Sequence, residues 1–248
     1  MSLAETSLWA VVKRQYMFKL QSYANLFVSL VIVQLIALLF TLGGMSGTSS
    51  MCSDNMCVVV KSYSGTGIFI FTALSIAVSS FVLALPLYRN IDFSFVTNRL
   101  SSNLANIGFL ITVSIAGGVT ATLGSILLRN ILYYTGESGT ILSLNFQVEP
   151  GELLSSLGVA ILYLILLSAA GYFAGVLTQL HRSLYVLLPA LLLGIFFYES
   201  ANEHIRIFRR LDFFTLESSP IFFFLKIMIG AALLWIGAIL LSDRTEVR

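Results

Sequence analysis

Residues 90–107, "NIDFSFVTNRLSSNLANI", separate two of the most apolar stretches in the chain and are far more polar than either. At 100° per residue, Phe93, Val96, Leu100, Leu104 and Ile107 fall on one narrow stripe with steps of 3, 4, 4 and 3. Ser94, Thr97, Asn98, Ser101 and Ala105 lie to one side of that stripe, and Phe95 points roughly opposite it. Asn90 or Asp92 can cap the start. The spacing predicts a short helix that packs its stripe on the ends of neighbouring helices while offering Phe95 and Arg99 to something else. A solvated helical connector is the plainer reading of the same residues. A docking helix is the sharper one, because an aromatic on a polar face is a natural anchor.

The surroundings decide what kind of protein carries such a segment. The chain has 248 residues, 57% hydrophobic and only 10% charged, against roughly a quarter charged in a soluble domain. That composition is of an integral membrane protein. A formal charge of +2 with dispersed Lys and Arg gives no nucleic-acid surface. The first 24 residues hold Lys13, Arg14 and Lys19 beside Trp9 and several polar residues, with no small-residue cleavage site after the apolar run. The expectation is a retained anchor rather than a cleaved signal peptide.

Crossing about 30 Å of hydrocarbon takes about 20 apolar residues in helix. Six segments meet or approach that length, at about 25–42, 67–87, 107–128, 153–176, 184–198 and 219–241. The fifth is the shortest and holds Pro189. These are continuous apolar runs, unlike the alternating segments of a membrane barrel. The expected fold is therefore all-α, six transmembrane helices in a single domain over 1–248.

Ahead of them, Leu8, Trp9, Val12, Tyr16, Leu20 and Tyr23 share one side of a helix, with Lys19 intruding, while Lys13, Arg14 and Gln21 lie on the other. That pattern suits an interfacial helix within 1–24, since Trp and Tyr favour headgroup depth. A longer, tilted first span is the alternative.

With the amino terminus inside, Lys13, Arg14, Lys19, Arg89, Arg99, Arg182, Arg244 and Arg248 are cytoplasmic, whereas Lys61, Arg129, Arg206, Arg209 and Arg210 are outside. The excess predicts a multi-pass protein of the cell membrane with both termini in the cytoplasm. Three polar loops then lie outside, at about 43–66, 129–152 and 199–218.

Chemistry is scarce. Lys226 sits near the outer end of the sixth span, and Gln34 is the main polar residue of the first. No proton relay and no internal repeat is visible, which argues against ion-coupled transport. No phosphate-binding G-x-x-x-x-G-K-[ST] loop occurs, so any energy for uphill movement must come from another subunit. No catalytic residue and no cofactor of its own is expected. Glu199, Glu203 and His204 are close in sequence but lack the further ligands or nucleophile a membrane hydrolase needs; His181 falls in a cytoplasmic turn.

Gly171 with Gly175, and Gly117 with Ala121 and Ser125, recur at steps of four and mark faces for close helix packing. Cys52 and Cys57, in the first outer loop, can close a small disulfide ring or stand as free thiols; a metal site would need more ligands than the loop provides.

In this layout the chain resembles an ABC-2 type permease, the membrane subunit of an ATP-binding cassette exporter. The likeness is architectural and covers nearly the whole length. An interfacial amino-terminal ("elbow") helix precedes six spans, and a cytoplasmic helix, "IDFSFVTNRLSSN" at 91–103, lies between the second and third. Residues 199–218 resemble the family's short outer helices before the last span. The resemblance implies that residues 91–103 are the coupling helix, with Phe93, Phe95, Val96, Arg99 and Leu100 as its ATPase-docking residues.

It implies, further, a partner ATPase carrying ATP and magnesium, a second permease chain, and a lipid bilayer around both. Cargo would pass between the permeases; an apolar, aromatic interior favours a hydrophobic or amphipathic substrate such as an antimicrobial peptide or a lipid-like compound. A stand-alone transporter, channel or scaffold is the alternative.

Overall fold

The computed structural model describes residues 8–43, 47–53, 56–62, 64–85, 99–135, 149–179, 183–185, 187, 190, 194 and 219–244. In chain order its elements are α1 (Leu8–Ser22), α2 (Ala24–Leu42), β1 (Gly47–Ser53), β2 (Met56–Ser62), α3 (Thr66–Leu83), α4 (Arg99–Tyr134), α5 (Pro150–Thr178) and α6 (Pro220–Arg244). Among the described residues five helices, α2 to α6, are long and apolar enough to cross a membrane. The segment at 184–198 falls, apart from isolated positions, outside the described residues.

Local chemistry accounts for several boundaries. Between α1 and α2 stands Tyr23, whose φ of −104° and ψ of 24° break the ladder; its carbonyl accepts from the Leu26 N–H at 2.9 Å. Residues 8–22 are thus a helix of their own rather than an extension of the first span. Pro150 and Pro220 open α5 and α6, at the position where a missing N–H costs nothing and a fixed φ suits the helix.

Two expectations need correction. The short helix expected at 91–103 and the span expected at about 107–128 are not separate elements: positions 99–103 already belong to one long helix. Helix α4 runs for 36 residues from Arg99, about 54 Å at 1.5 Å per residue. "SSNLAN" has no proline and no glycine to interrupt the ladder, and its serines and asparagines bury as helix side chains rather than forming a turn.

The second correction concerns the segment at 43–66, expected as a loop: it holds an antiparallel hairpin, which among the described residues adds a little sheet beside the helices. Its strands lack clean alternation: β1 is mostly Ser, Thr and Gly, and only Val58, Val59 and Val60 of β2 carry strong strand preference.

The register sets Cys52 directly opposite Cys57. Facing residues of an antiparallel pair have Cα atoms about 4.5–5.5 Å apart, within the roughly 4.4–6.8 Å that a disulfide bridges. A thiol reagent applied to intact cells is expected to label neither cysteine until a reductant is added; ready labelling without reductant would show free thiols.

By its contacts the chain divides into two compact units, one of Met1–Ser22, Ala77–Ile111 and Ile165–Arg248, the other of Tyr23–Ile76 and Thr112–Leu164. In the second, Ala37, Leu38, Ile68, Ala121, Leu128 and Leu132 form the core, edged by Leu42, Phe71 and Ile131. In the first, α6 buries Phe223, Ile227, Ala231, Trp235, Ala238 and Ser242 at steps of four and three, one stripe of a helix whose other faces are apolar and exposed.

Candidate functional site

The side chains are distributed inside out. Ile221, Phe222, Leu233 and Leu240 are exposed on α6, and Val28, Leu35 and Leu39 on α2, while Lys19, Gln34, Asn103 and Asn106 are buried. Apolar surface on that scale is tolerable only where the solvent is lipid. The protein is a multi-pass membrane protein, and its informative residues are the polar ones inside.

The strongest polar cluster lies in the first unit. On α1 the buried residues are Val12, Gln15 and Lys19, spaced by three and four, so a polar stripe faces inward and Trp9 and Met17 face out. Lys19 is only 1% exposed. On α4, Ser101, Ser102, Asn103, Ala105 and Asn106 are buried, and on α5 Tyr172 is the largest fully buried side chain of the described residues.

These three helices meet through one chain of hydrogen bonds. Lys19 Nζ donates to Asn106 Oδ1; Asn106 Nδ2 donates to the Tyr172 hydroxyl at 3.1 Å; Tyr172 donates to Asn103 Oδ1 at 2.8 Å. The direction is forced from one end. An ammonium has three donors and no acceptor, so Asn106 must turn its oxygen to Lys19 and its nitrogen to Tyr172, leaving Tyr172 to donate onward. Two polar groups are left over: Asn103 Nδ2 and both amide atoms of Gln15 have no hydrogen-bond partner among the described residues.

Chemically, the cluster is a hydrogen-bonded clasp around a buried lysine amine, and its bond to the amide oxygen on α4 is one of the contacts that set where α1 sits. Among the described residues no three of His, Cys, Asp and Glu come together.

A second, smaller clasp lies in the other unit. Gln34 Nε2 donates to Thr120 Oγ1 at 2.9 Å and to Thr72 Oγ1 at 3.1 Å. Both threonines are free to accept because each gives its own proton to a carbonyl one turn back, Thr72 to Ile68 at 2.7 Å and Thr120 to Ala116 at 2.8 Å. The amide thereby joins α2, α3 and α4 inside that unit.

The expected site residues divide as follows. Phe93, Phe95 and Val96 lie outside the described residues, as do His181, Glu199, Glu203 and His204. Arg99 begins α4. Leu100, expected to face the bundle as part of the apolar stripe, is 42% exposed, and Leu104 and Ile107 are only partly buried. The packed face is the neighbouring polar one, reversed because the surroundings of a membrane helix are as apolar as leucine and its interior is where polar groups find partners.

Gly117 packs on Ile76, where an added Cβ would come within 2.7 Å of Cδ1. Gly171 and Gly175 lie against α3; a Cβ would reach 2.5 Å from the Ala77 carbonyl at the first and 2.6 Å from both Ala84 Cβ and the Phe81 carbonyl at the second. Ala121 belongs to the core of the second unit.

Sequence reading missed Lys19, Tyr172, Asn103 and Asn106. Lys19 stood out only as an intrusion on an apolar helix face, and that intrusion was the available signal. Comparison with known protein families, curated proteins and solved structures finds no match.

Proposed function

We propose that the chain is the permease subunit of an ATP-binding cassette transporter, driven by a separate ATPase that docks on residues 91–99. It would pair with a second permease chain and export a hydrophobic or amphipathic compound. The observation that carries this reading is the buried bond between Lys19 and Asn106. It ties an amino-terminal helix distinct from the first span to the opening turns of α4, which continue directly from the candidate docking residues.

A mechanism follows from the helix itself. Any displacement that a docked partner imposes on residues 91–103 acts on the opening turns of α4, which are part of one continuous helix. The Lys19 clasp makes α1 move with it. The chain supplies the lever and the passage, and the partner supplies the energy of ATP hydrolysis.

The test is purification of the tagged chain from its native membrane under mild detergent. The expected result is a co-purifying ATPase with a phosphate-binding loop, in a complex that holds two copies of each subunit. Recovery of the chain alone, in a folded state, would contradict the proposal.

A further inference from the structure

A groove of about 590 Å3 runs between α1 and the first third of α4, inside the range of about 300–1,000 Å3 typical of sites for small ligands. Tyr16, Leu104, Ile107, Gly108 and Ile111 line it, and the ring of Tyr16 lies over Gly108, where an added Cβ would sit 3.5 Å from Cδ2. Its rim carries Trp9, 70% exposed, and Lys13, also exposed. Lys13 is the one cation among the lining residues; the adjacent Arg14 is exposed but does not line the groove.

Three features together specify an occupant. The floor is apolar and continuous with the exposed faces of Trp9 and Met17, so it takes a hydrocarbon chain from the bilayer without opening to water. The cation stands at the rim, where a headgroup phosphate would lie when the chain occupies the floor. An indole at the same edge is a side chain that prefers headgroup depth. Within the groove Tyr16 lies over Gly108, and the Lys19–Asn106 bond holds α1 against α4.

We infer that this groove is a binding site for one anionic glycerophospholipid, with an acyl chain on Tyr16, Leu104, Gly108 and Ile111 and its phosphate paired with Lys13. The inference rests on the membrane-protein fold and not on the identity of any partner. A resident lipid there would act as a wedge between the amino-terminal helix and α4, coupling their separation to the charge of the surrounding membrane.

The chain has two tryptophans, which makes Trp9 a local reporter. Trp235 is replaced by Phe in the background protein; its indole N–H has no partner among the described residues, so no hydrogen bond is lost there. The full chain is reconstituted in phosphatidylcholine bilayers, and Trp9 quenching is measured with acyl-brominated phosphatidylglycerol or acyl-brominated phosphatidylcholine at increasing mole fraction.

Brominated phosphatidylglycerol is expected to reach half-maximal quenching at about a fivefold lower mole fraction, the selectivity one close cation confers. Lys13→Gln should bring the two lipids together. Arg14→Gln, which removes the same charge outside the groove, should leave the ratio within about twofold, as screening of an exposed charge implies. Because the readout is a ratio between two lipids on one protein, loss of folded material affects both alike. Equal quenching by the two lipids, an unchanged ratio in Lys13→Gln, or an equal drop in Arg14→Gln would each overturn the assignment.

Discussion

Asn106→Leu is expected to destabilise the protein by about 3 kcal/mol, because it deletes the buried amide that bonds both Lys19 and Tyr172 while preserving side-chain volume. For a chain of this size that is a fall of about 6–12 °C in the melting temperature in detergent. Lys19→Met should also destabilise, because it leaves the buried Asn106 oxygen short of a donor. With Lys19→Met already present, adding Asn106→Leu should cost only about 1 kcal/mol, giving a coupling energy of about 2 kcal/mol in the double-mutant cycle. Additive effects would show that the two side chains do not depend on each other.

The second large effect is expected at Gly175. A Cβ there would lie 2.6 Å from the Phe81 carbonyl and 2.6 Å from Ala84 Cβ, and backbone cannot rotate aside as a flexible side chain can. Gly175→Leu should therefore force α3 and α5 apart within their unit and cost about 3 kcal/mol, with Gly175→Ala costing part of that. Gly158, in the same helix, has open space where its Cβ would be, so Gly158→Ala should be neutral or stabilise by a few tenths of a kcal/mol. Melting temperatures of the three variants settle the matter; equal losses at positions 175 and 158 would mean the change reflects helix propensity and not contact.

The spans were legible because each is a long apolar run, and α2, α3, α5 and α6 fall within a few residues of their expected limits. What the pattern could not give was orientation. Helical spacing correctly grouped Leu100, Leu104 and Ile107 on one stripe, but the rule that the apolar stripe faces the core belongs to proteins dissolved in water. In lipid the burying face is chosen by close packing and by polar groups seeking partners. Ser101, Asn103 and Asn106 therefore took the inside, and Leu100 was left exposed.

The same inversion explains Lys19. Read as an intruder on an apolar face, it is the residue around which α1, α4 and α5 converge. Its partners are separated from it in sequence by 87 residues for Asn106, and no local pattern could join them. The hairpin escaped notice for another reason: its first strand is nearly all small and polar, with the composition of a loop.

The measurement that bears most directly on the proposed function is ATP turnover by the purified chain together with its co-purifying ATPase in lipid vesicles. The proposal predicts turnover that depends on the presence of this chain. On the proposal, Phe95→Ala should weaken docking by about 2 kcal/mol, a roughly thirtyfold loss of affinity, and so lower turnover at limiting ATPase, with the amount of folded chain unchanged. Turnover that is the same with and without this chain, or unaltered by Phe95→Ala combined with Arg99→Glu, would contradict it.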